Sequence, residues 1–237
     1  MLSHYRELRL LSLTARYSYR LERIEAMNDN LSETLTGHIE VDFPEYLDPP
    51  GEPFGLLTSW LKRAVRLGVR EPLAMALATS TNTGQPSIRT VALAELTTAG
   101  LIFTSHANSA KGQEALANPK AAALFYWRET SEQVCVRGSI QCLDETVADR
   151  MWQQRPLATH AMSVASCQSR PLDDVEGLRQ TALQLAEDAP LPRPVTYRAF
   201  EIQPCDIEFW ANGRDRLHER LLFSRQRSGW AVSRLQP

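Results

Sequence analysis

The sequence predicts a β-rich α+β fold built on an antiparallel β-barrel or sandwich. Short runs of alternating or continuous apolar residues follow one another closely in the middle of the chain, at 74–79, 88–96, 101–105, 121–127 and 133–143. Turn-forming residues separate these runs, for example at 82–84 and 97–100. Five strands at such short spacing are typical of antiparallel barrels and sandwiches.

Four further strands complete the predicted sheet. They are expected at 197–202, 207–210, 221–224 and 230–234. The second and third of these flank the pair Asn212 and Gly213, which is favoured in tight hairpin turns. We therefore expect a β-hairpin that holds the side chains between Trp210 and Arg220 at fixed spacing.

Three amphipathic helices are predicted around the sheet, at 54–67, 144–154 and 174–187. In the first of them Gly68 follows the last helical position as a stop signal, and the apolar residues recur at helical spacing: Leu57, Trp60, Leu61, Ala64 and Val65. The other two have one apolar face each, so we expect both to flank the barrel.

A fourth, short helix is expected within 108–119. Either Asn108 or Ser109 can cap its first turn, and Pro119 ends it. Lys111 then lies in the first turn of this helix, where the backbone N–H groups favour an anion.

Proline content and charge divide the chain into three parts. Residues 1–30 contain five arginines among scattered leucines and tyrosines, without the apolar core of a secretion signal, and are expected to be a flexible extension. Residues 31–53 form a proline-rich arm, and 54–237 form the barrel domain. Four prolines close together favour an extended chain in the arm, which we expect to lie over a partner subunit.

Composition excludes several classes of function. The formal net charge is -2 at pH 7, so no overall field attracts nucleic acid or an anionic membrane. No apolar run approaches the roughly 18 residues of a membrane span. The four cysteines lack metal-ligand spacing, which indicates free thiols in the cytoplasm and no bound metal.

Two groups of residues are candidates for binding an anion. The first is the segment 210–220, which contains an aromatic ring, three arginines and a histidine. A solvated hairpin is the competing interpretation, because only three of the 26 basic residues are lysines and arginine is therefore common throughout. The second combines Arg89 and Lys111 with the hydroxyl groups of Thr104, Ser105 and Ser109. Two cations and three hydroxyls at a helix N-terminus suit a phosphate.

Seven motifs in one order resemble the pyridoxamine-phosphate oxidase family from about residue 53 to the C-terminus. These motifs lie at Arg89-Thr-Val-Ala-Leu, Phe103-Thr-Ser, Ser109-Ala-Lys111, Glu132-Gln133-Val, Arg155-Pro156, Gln168-Ser169 and Ile207-Glu-Phe-Trp210 with Arg216-Leu-His218-Glu-Arg220. Within that family the chain looks most like the flavin oxidases of phenazine biosynthesis, because of its proline-rich arm, the stretch 155–163 and the terminal Arg-Leu-Gln-Pro.

This resemblance implies a split β-barrel homodimer that binds one flavin mononucleotide (FMN) in each of two clefts at the subunit interface. Arg89 and Lys111 would hold the FMN phosphate. The remaining cofactor contacts implied by the family are Thr90, Val91, Ala92, Leu93, Thr104, Ser105, Gln133, Gln168, Ser169, Trp210 and Arg220.

Three positions depart from the vitamin-processing members of the family. Ala110 replaces a second basic residue before the phosphate lysine, Ala94 replaces a lysine for the substrate phosphate, and Met151 replaces a substrate-binding tyrosine. Each lost charged hydrogen bond to a phosphate weakens binding by about 1.5–3 kcal/mol. We therefore expect poor binding of pyridoxine phosphate.

The resemblance also implies the substrate contacts. We expect Arg155 and Arg216 to pair with substrate carboxylates and Thr159 to supply the hydroxyl that the family has as serine. His218 would orient the substrate or relay a proton, so Arg216 and His218 are the candidate catalytic residues.

The implied activity is FMN-dependent dehydrogenation of reduced (hexahydro, tetrahydro or dihydro) phenazine carboxylates, small precursors of an aromatic ring system. Molecular oxygen would accept the electrons and hydrogen peroxide would be released. Two alternatives remain open, namely a pyridoxamine or pyridoxine 5'-phosphate oxidase and a non-catalytic flavin-binding barrel.

Overall fold

A computed structural model describes residues 37–213 and 217–237 of the chain. The described residues form one antiparallel sheet of nine strands, five α-helices and two 3-10 helices. The strands are β1 (Ala74–Ser80), β2 (Pro86–Ala92), β3 (Glu95–Leu96), β4 (Leu101–His106), β5 (Lys120–Trp127), β6 (Glu132–Cys142), β7 (Tyr197–Ala211), β8 (Glu219–Gln226) and β9 (Gly229–Arg234).

The helices are α1 (Pro53–Arg66), α2 (Ala110–Ala117), α3 (Glu145–Gln154), α4 (His160–Ala165) and α5 (Val175–Glu187), with 3-10 helices at Pro44–Tyr46 and Leu157–Thr159. The three helices predicted from periodicity and the short one predicted from its cap and Pro119 are confirmed. Helix α4 was not predicted, because six residues are too few to show a helical period.

The sheet divides at strand β7. The strands of the sheet run in the order β2-β1-β5-β6-β7-β4-β3. Strand β8 also pairs with β7, and β9 pairs with β8. Along one edge of β7, residues 197–202 pair with β4 and residues 206–211 pair with β8, while β6 follows the other edge. One strand thus belongs to two diverging parts of the sheet, so the predicted split barrel is confirmed.

A β-bulge lies at this division. Arg137 lies opposite Asp206 and the next residue, Gly138, lies opposite Pro204, so Cys205 has no partner on β6. An extra residue in one strand bends it and increases its twist. The sequence interpretation gave two strands, at 197–202 and 207–210, because Pro204 between them reads as a break. The structure corrects this to one strand.

The predicted strand 88–96 is also corrected. The chain leaves β2 after Ala92, and the N–H of Leu93 and that of Ala94 bond to Leu73 O and Ile102 O. The segment therefore crosses from the neighbourhood of β1 to that of β4 before β3 begins. The predicted hairpin at 212–213 is a longer connection, because β7 ends at Ala211 and β8 begins at Glu219.

Helix α1 seals one end of the core. The side chain of Glu52 accepts hydrogen bonds from the N–H groups of Phe54 and Gly55 and so caps the helix. Trp60 is 1% exposed, and its ring lies 4.8 Å from that of Phe43 and 5.1 Å from that of Phe209. Val65, which was expected on the buried face, is exposed because it lies one residue past Ala64 around the helix.

The described part of the proline-rich arm packs on its own chain. Besides the contact of Phe43 with Trp60, Arg234 of β9 donates hydrogen bonds to the carbonyls of Tyr46 and Leu47. The three-part division of the chain stays a prediction, and the proposed extension at 1–30 lies outside the described residues. Among the described helices, none has both the length and the hydropathy that crossing a membrane requires.

Gly138 supplies the first testable prediction. A β-carbon at this position would lie 2.0 Å from the carbonyl oxygen of Gln203, and the atom it meets is backbone that cannot turn away. We expect Gly138→Ala to lower the free energy of unfolding by about 3 kcal/mol, the upper end of the cost of overpacking. Urea denaturation measures this, with Gly51→Ala as the control because nothing lies within 4 Å of that site. Equal stability of the two variants would contradict the assignment of the bulge.

Candidate functional site

The first part of the site is the N-terminus of α2, directly after β4. The buried Ser109 caps the helix, since its Oγ accepts a hydrogen bond from the Gly112 N–H at 3.2 Å. The same hydroxyl lies 3.1 Å from Ser105 Oγ and donates to the His106 carbonyl at 2.7 Å. Of the two predicted caps, the structure therefore selects Ser109.

A loop from far along the chain reaches the same helix end. Lys111 Nζ donates to Gln168 Oε1 at 3.2 Å, and the Ala110 N–H donates to Ser169 Oγ at the same distance. Ser169 has a φ of 68°, a left-handed conformation that few residues other than glycine adopt. The fold thus brings together three of the predicted motifs, at 103–105, 109–111 and 168–169.

Arg89 faces the same space from β2. Burial lowers the pKa of Lys111, and the positive charge of Arg89 lowers it further, which shows that the two cations lie close enough to repel each other. A bound dianion between them would relieve this repulsion. The charge effect is in keeping with the two cations lying in one region of the fold, and their role in holding a phosphate stays a prediction.

The guanidinium of Arg89 is nevertheless largely engaged by protein. Its Nη1 donates to Leu77 O at 3.2 Å and to Thr79 Oγ1 at 2.5 Å. Its Nη2 donates to Ser87 Oγ at 2.5 Å and to Glu114 Oε2 at 3.2 Å. These four bonds use all the terminal N–H groups, which leaves the Nε–H for a ligand.

The helix N-terminus is less open than expected. Ser169 and Ser109 already accept from the N–H groups of Ala110 and Gly112. In the described part of the chain, the Lys111 N–H is the one in this first turn without a protein acceptor. The sequence could not show this, because it depends on a loop nearly sixty residues away.

Strand β2 forms one wall of this space. It stands at the edge of the sheet as described, so its outer backbone groups have no strand partner. The residues predicted to contact the flavin lie on β2 or directly after it. Thr90 and Ala92 are exposed, Val91 is half-buried, and Leu93, the first residue past the strand, is buried. Thr104, on β4, is half-buried and lies opposite Ala199.

A second part of the site is a row of side chains across β6, β7 and β8. Gln133 lies opposite Trp210, which lies opposite Arg220, so the three side chains share one face of the sheet. The ring of His218 lies 4.8 Å from that of Trp210. Two bonds to Glu208 Oε1, from Nε at 2.7 Å and Nη2 at 2.6 Å, fix the guanidinium of Arg220.

A third part centres on Arg155, at the end of α3. Its Nε–H donates to Thr159 Oγ1 at 2.7 Å, and its guanidinium carbon lies 5.7 Å from the centre of the Tyr197 ring. No acceptor among the described residues bonds to its terminal N–H groups. The geometry therefore orients Arg155 while leaving the two-pronged side of the guanidinium for a ligand.

His106 links the first and third parts and was missed by sequence reasoning. Burial, and then the charges of Arg155 and Lys111, lower the pKa of His106. Its Nδ1 lies 2.8 Å from Thr196 Oγ1, and its Nε2 is buried without a hydrogen-bond partner. The available signal was a histidine between two of the motifs, which by itself indicates no particular role.

His160, the first residue of α4, is buried. It is 1% exposed, and its ring lies 4.1 Å from that of Trp152 on α3. Arg216 lies outside the described residues, so its predicted role is a matter of sequence alone.

The second part of the site stays apart from the other two within one chain. No hydrogen bond, ion pair or ring contact in the described ranges joins the row at Gln133, Trp210 and Arg220 to the group around Lys111. The described residues contain no cluster of groups suited to a metal ion. The arrangement offers two cations for a phosphate and one free guanidinium for a carboxylate.

Comparison with known proteins identifies relatives along most of the chain. The family model of pyridoxamine 5'-phosphate oxidase matches residues 61–187, and that of the pyridoxine 5'-phosphate oxidase C-terminal dimerisation region matches residues 197–237. A dihydrophenazinedicarboxylate synthase of Pseudomonas chlororaphis is 47% identical over 89% of this chain and 96% of its own. A pyridoxine/pyridoxamine 5'-phosphate oxidase of Gluconobacter oxydans is 36% identical over 81% of this chain and 97% of its own.

A solved structure is similar in fold as well as in sequence. It is that of PhzG from Burkholderia lata 383 in complex with tetrahydrophenazine-1-carboxylic acid, with a TM-score of 0.82, 43% identity, and coverage of 85% of this chain and all of that chain. The matched family models, the identities and this fold agree with the split barrel and the motifs on it. The chain belongs to the pyridoxamine 5'-phosphate oxidase family of flavin oxidoreductases.

Proposed function

We propose that this protein is an FMN-dependent oxidase that dehydrogenates reduced phenazine carboxylates in phenazine biosynthesis. The observation that carries the proposal is the meeting of Arg89, Lys111 and the 168–169 loop at the N-terminus of α2. It is supported by the similarity to the dihydrophenazinedicarboxylate synthase and to the complex with tetrahydrophenazine-1-carboxylic acid. The free cysteines agree with a place in the cytoplasm.

The donors at α2 fit the phosphate of FMN. Lys111 contributes its backbone N–H and the remaining hydrogens of its ammonium group, and Arg89 contributes its Nε–H. The hydroxyl of Ser169 accepts from Ala110 and can donate its own hydrogen to the ligand. Charged hydrogen bonds of this kind are about twice as strong as neutral ones.

A second subunit would complete each flavin site. Gln133, Trp210 and His218 do not contact the residues around Lys111 in their own chain. Residues 197–237 match the dimerisation region of the family. We propose that two chains form a homodimer in which the row of side chains at Trp210 of one subunit faces the phosphate-binding residues around Lys111 of the other. FMN would then lie at the interface.

The substrate carboxylate would bind to Arg155. Its free terminal N–H groups match the two oxygens of a carboxylate, and Thr159 and the Tyr197 ring hold it in place. Met151 is buried in an apolar cluster with Trp152 and Tyr197, where it offers no hydrogen bond. With Ala94 beside this region, the chain lacks two of the groups that would select a substrate phosphate.

The chain's own residues position the reactants. Bound FMN would supply hydride acceptance from the substrate and electron transfer to oxygen, with hydrogen peroxide as the product. His218 lies against the half-buried Trp210, and its Nδ1 is buried without a hydrogen-bond partner, so a substrate group or proton could engage it. Arg216 would add a second carboxylate contact.

A pyridoxamine 5'-phosphate oxidase is the competing function, favoured by the 36% identity to the Gluconobacter oxydans enzyme. Oxygen consumption decides between the two. We expect the purified protein to be a yellow dimer that consumes oxygen with a reduced phenazine dicarboxylate and at least about tenfold more slowly with pyridoxamine phosphate. The reverse preference would show a vitamin-processing oxidase, and bound flavin without turnover on either would show a binding protein.

Replacing Arg155 tests the carboxylate contact. We expect Arg155→Lys to raise KM for the phenazine substrate by about 10–100-fold, because a lysine cannot make the paired hydrogen bonds, while FMN stays bound. Steady-state kinetics and flavin absorbance measure the two effects. Arg179→Lys on the exposed face of α5 is the control. An unchanged KM would place the carboxylate elsewhere.

Replacing His218 tests its proposed division of labour. We expect His218→Ala to slow turnover by about 10–100-fold. The flavin should stay bound, because the residues proposed to hold its phosphate, Arg89 and Lys111, lie in another part of the site. Turnover and bound flavin are measured on the same preparation. A folded variant that has lost all its flavin would contradict this assignment.

A further inference from the structure

Glu114 is the centre of a polar cluster behind Arg89 that the proposed mechanism does not use. It lies on α2, one turn after Lys111, with its side chain 14% exposed. Its Oε2 accepts hydrogen bonds from Thr79 Oγ1, from Ser87 Oγ at 2.5 Å and from Arg89 Nη2 at 3.2 Å. Thr79 is only 2% exposed, so the cluster is part of the interior between β1, β2 and α2.

The direction of each hydrogen bond follows from the carboxylate. An ionised carboxylate can only accept, so both hydroxyls must point their hydrogens at Glu114. Their lone pairs then face Arg89, whose Nη1 donates to Thr79 and whose Nη2 donates to Ser87. Glu114 thereby fixes both hydroxyls in the orientation that receives the guanidinium.

The carboxylate stays ionised in this setting. Burial raises the pKa of Glu114, but the hydrogen bonds from Ser87, Thr79 and Arg89 together outweigh that effect and bring the pKa below its ordinary value. The fixed negative charge also stands near the proposed phosphate position. The negative charge of Glu114 would by itself weaken the binding of an anion. Its hydrogen bonds, which orient Arg89, would strengthen that binding.

We infer that Glu114 is a positioning residue that holds Arg89, through Thr79 and Ser87, with its Nε–H directed for the phosphate of the flavin. This inference rests on the proposed function. With its terminal N–H groups bound inside the protein, Arg89 loses little side-chain freedom when the phosphate arrives. In this inference, the gain in phosphate affinity from a pre-oriented Arg89 is larger than the loss from repulsion between the Glu114 carboxylate and the phosphate.

Titration of the apoprotein with FMN and with riboflavin tests the inference, because riboflavin lacks the phosphate. We expect Glu114→Ala to weaken FMN binding by about tenfold, the equivalent of one charged hydrogen bond, and to leave riboflavin affinity unchanged. Glu114→Gln should recover most of the loss, since its amide oxygen still accepts from both hydroxyls. In an Arg89→Ala background, Glu114→Ala should have no further effect.

Glu187→Ala, which removes an exposed carboxylate from the end of α5, is the control for net charge. FMN affinity that rises or stays unchanged in Glu114→Ala would overturn the inference, and so would an equal loss of riboflavin affinity. If Glu114→Ala does not fold, Ser87→Ala removes one bridging hydroxyl from an edge strand and must show the same phosphate-selective loss. Wild-type protein that binds riboflavin and FMN equally would instead refute the proposed phosphate site itself.

Discussion

The continuous pairing of strand β7 is the constraint on which the rest of the structure depends. Its first residue, Tyr197, lies against the guanidinium of Arg155, and its penultimate residue is Trp210. The bulge at Cys205 lets these two ends enter different parts of the sheet without breaking the pairing with β6. The proposed substrate and flavin contacts are therefore held by one strand at opposite ends, and their relative position is as rigid as its hydrogen bonds.

Like charges shape the other half of the site. Burial and then the charge of Arg89 lower the pKa of Lys111, and burial together with two neighbouring cations lowers the pKa of His106. Such a cluster of like charges is unfavourable by itself. It is tolerated because Glu114 compensates Arg89 and because the rest of the fold supplies the stability that the cluster lacks.

Local pattern predicted most of the secondary structure, and the order of the motifs predicted the family, whereas the roles of the site residues stay predictions. Alternation and turn residues identified the strands, and Ser109 and Pro119 bounded α2 correctly to within two residues. The continuity of β7 could not be predicted, because Pro204 signals a break unless the bulge opposite Gly138 is known. Glu114 and His106 were missed for a similar reason: their partners come from other elements, so neither has a sequence signal of its own.

The left-handed backbone at Ser169 bears on when the proposed cofactor would bind. Its hydroxyl already accepts from the Ala110 N–H and Ser109 accepts from that of Gly112, so among the described residues only the Lys111 N–H of this first turn is left for a ligand. Most of the hydrogen bonding at this helix end is thus made by the protein itself. Under the proposed function, flavin binding would follow folding of this region and would not be needed to drive it.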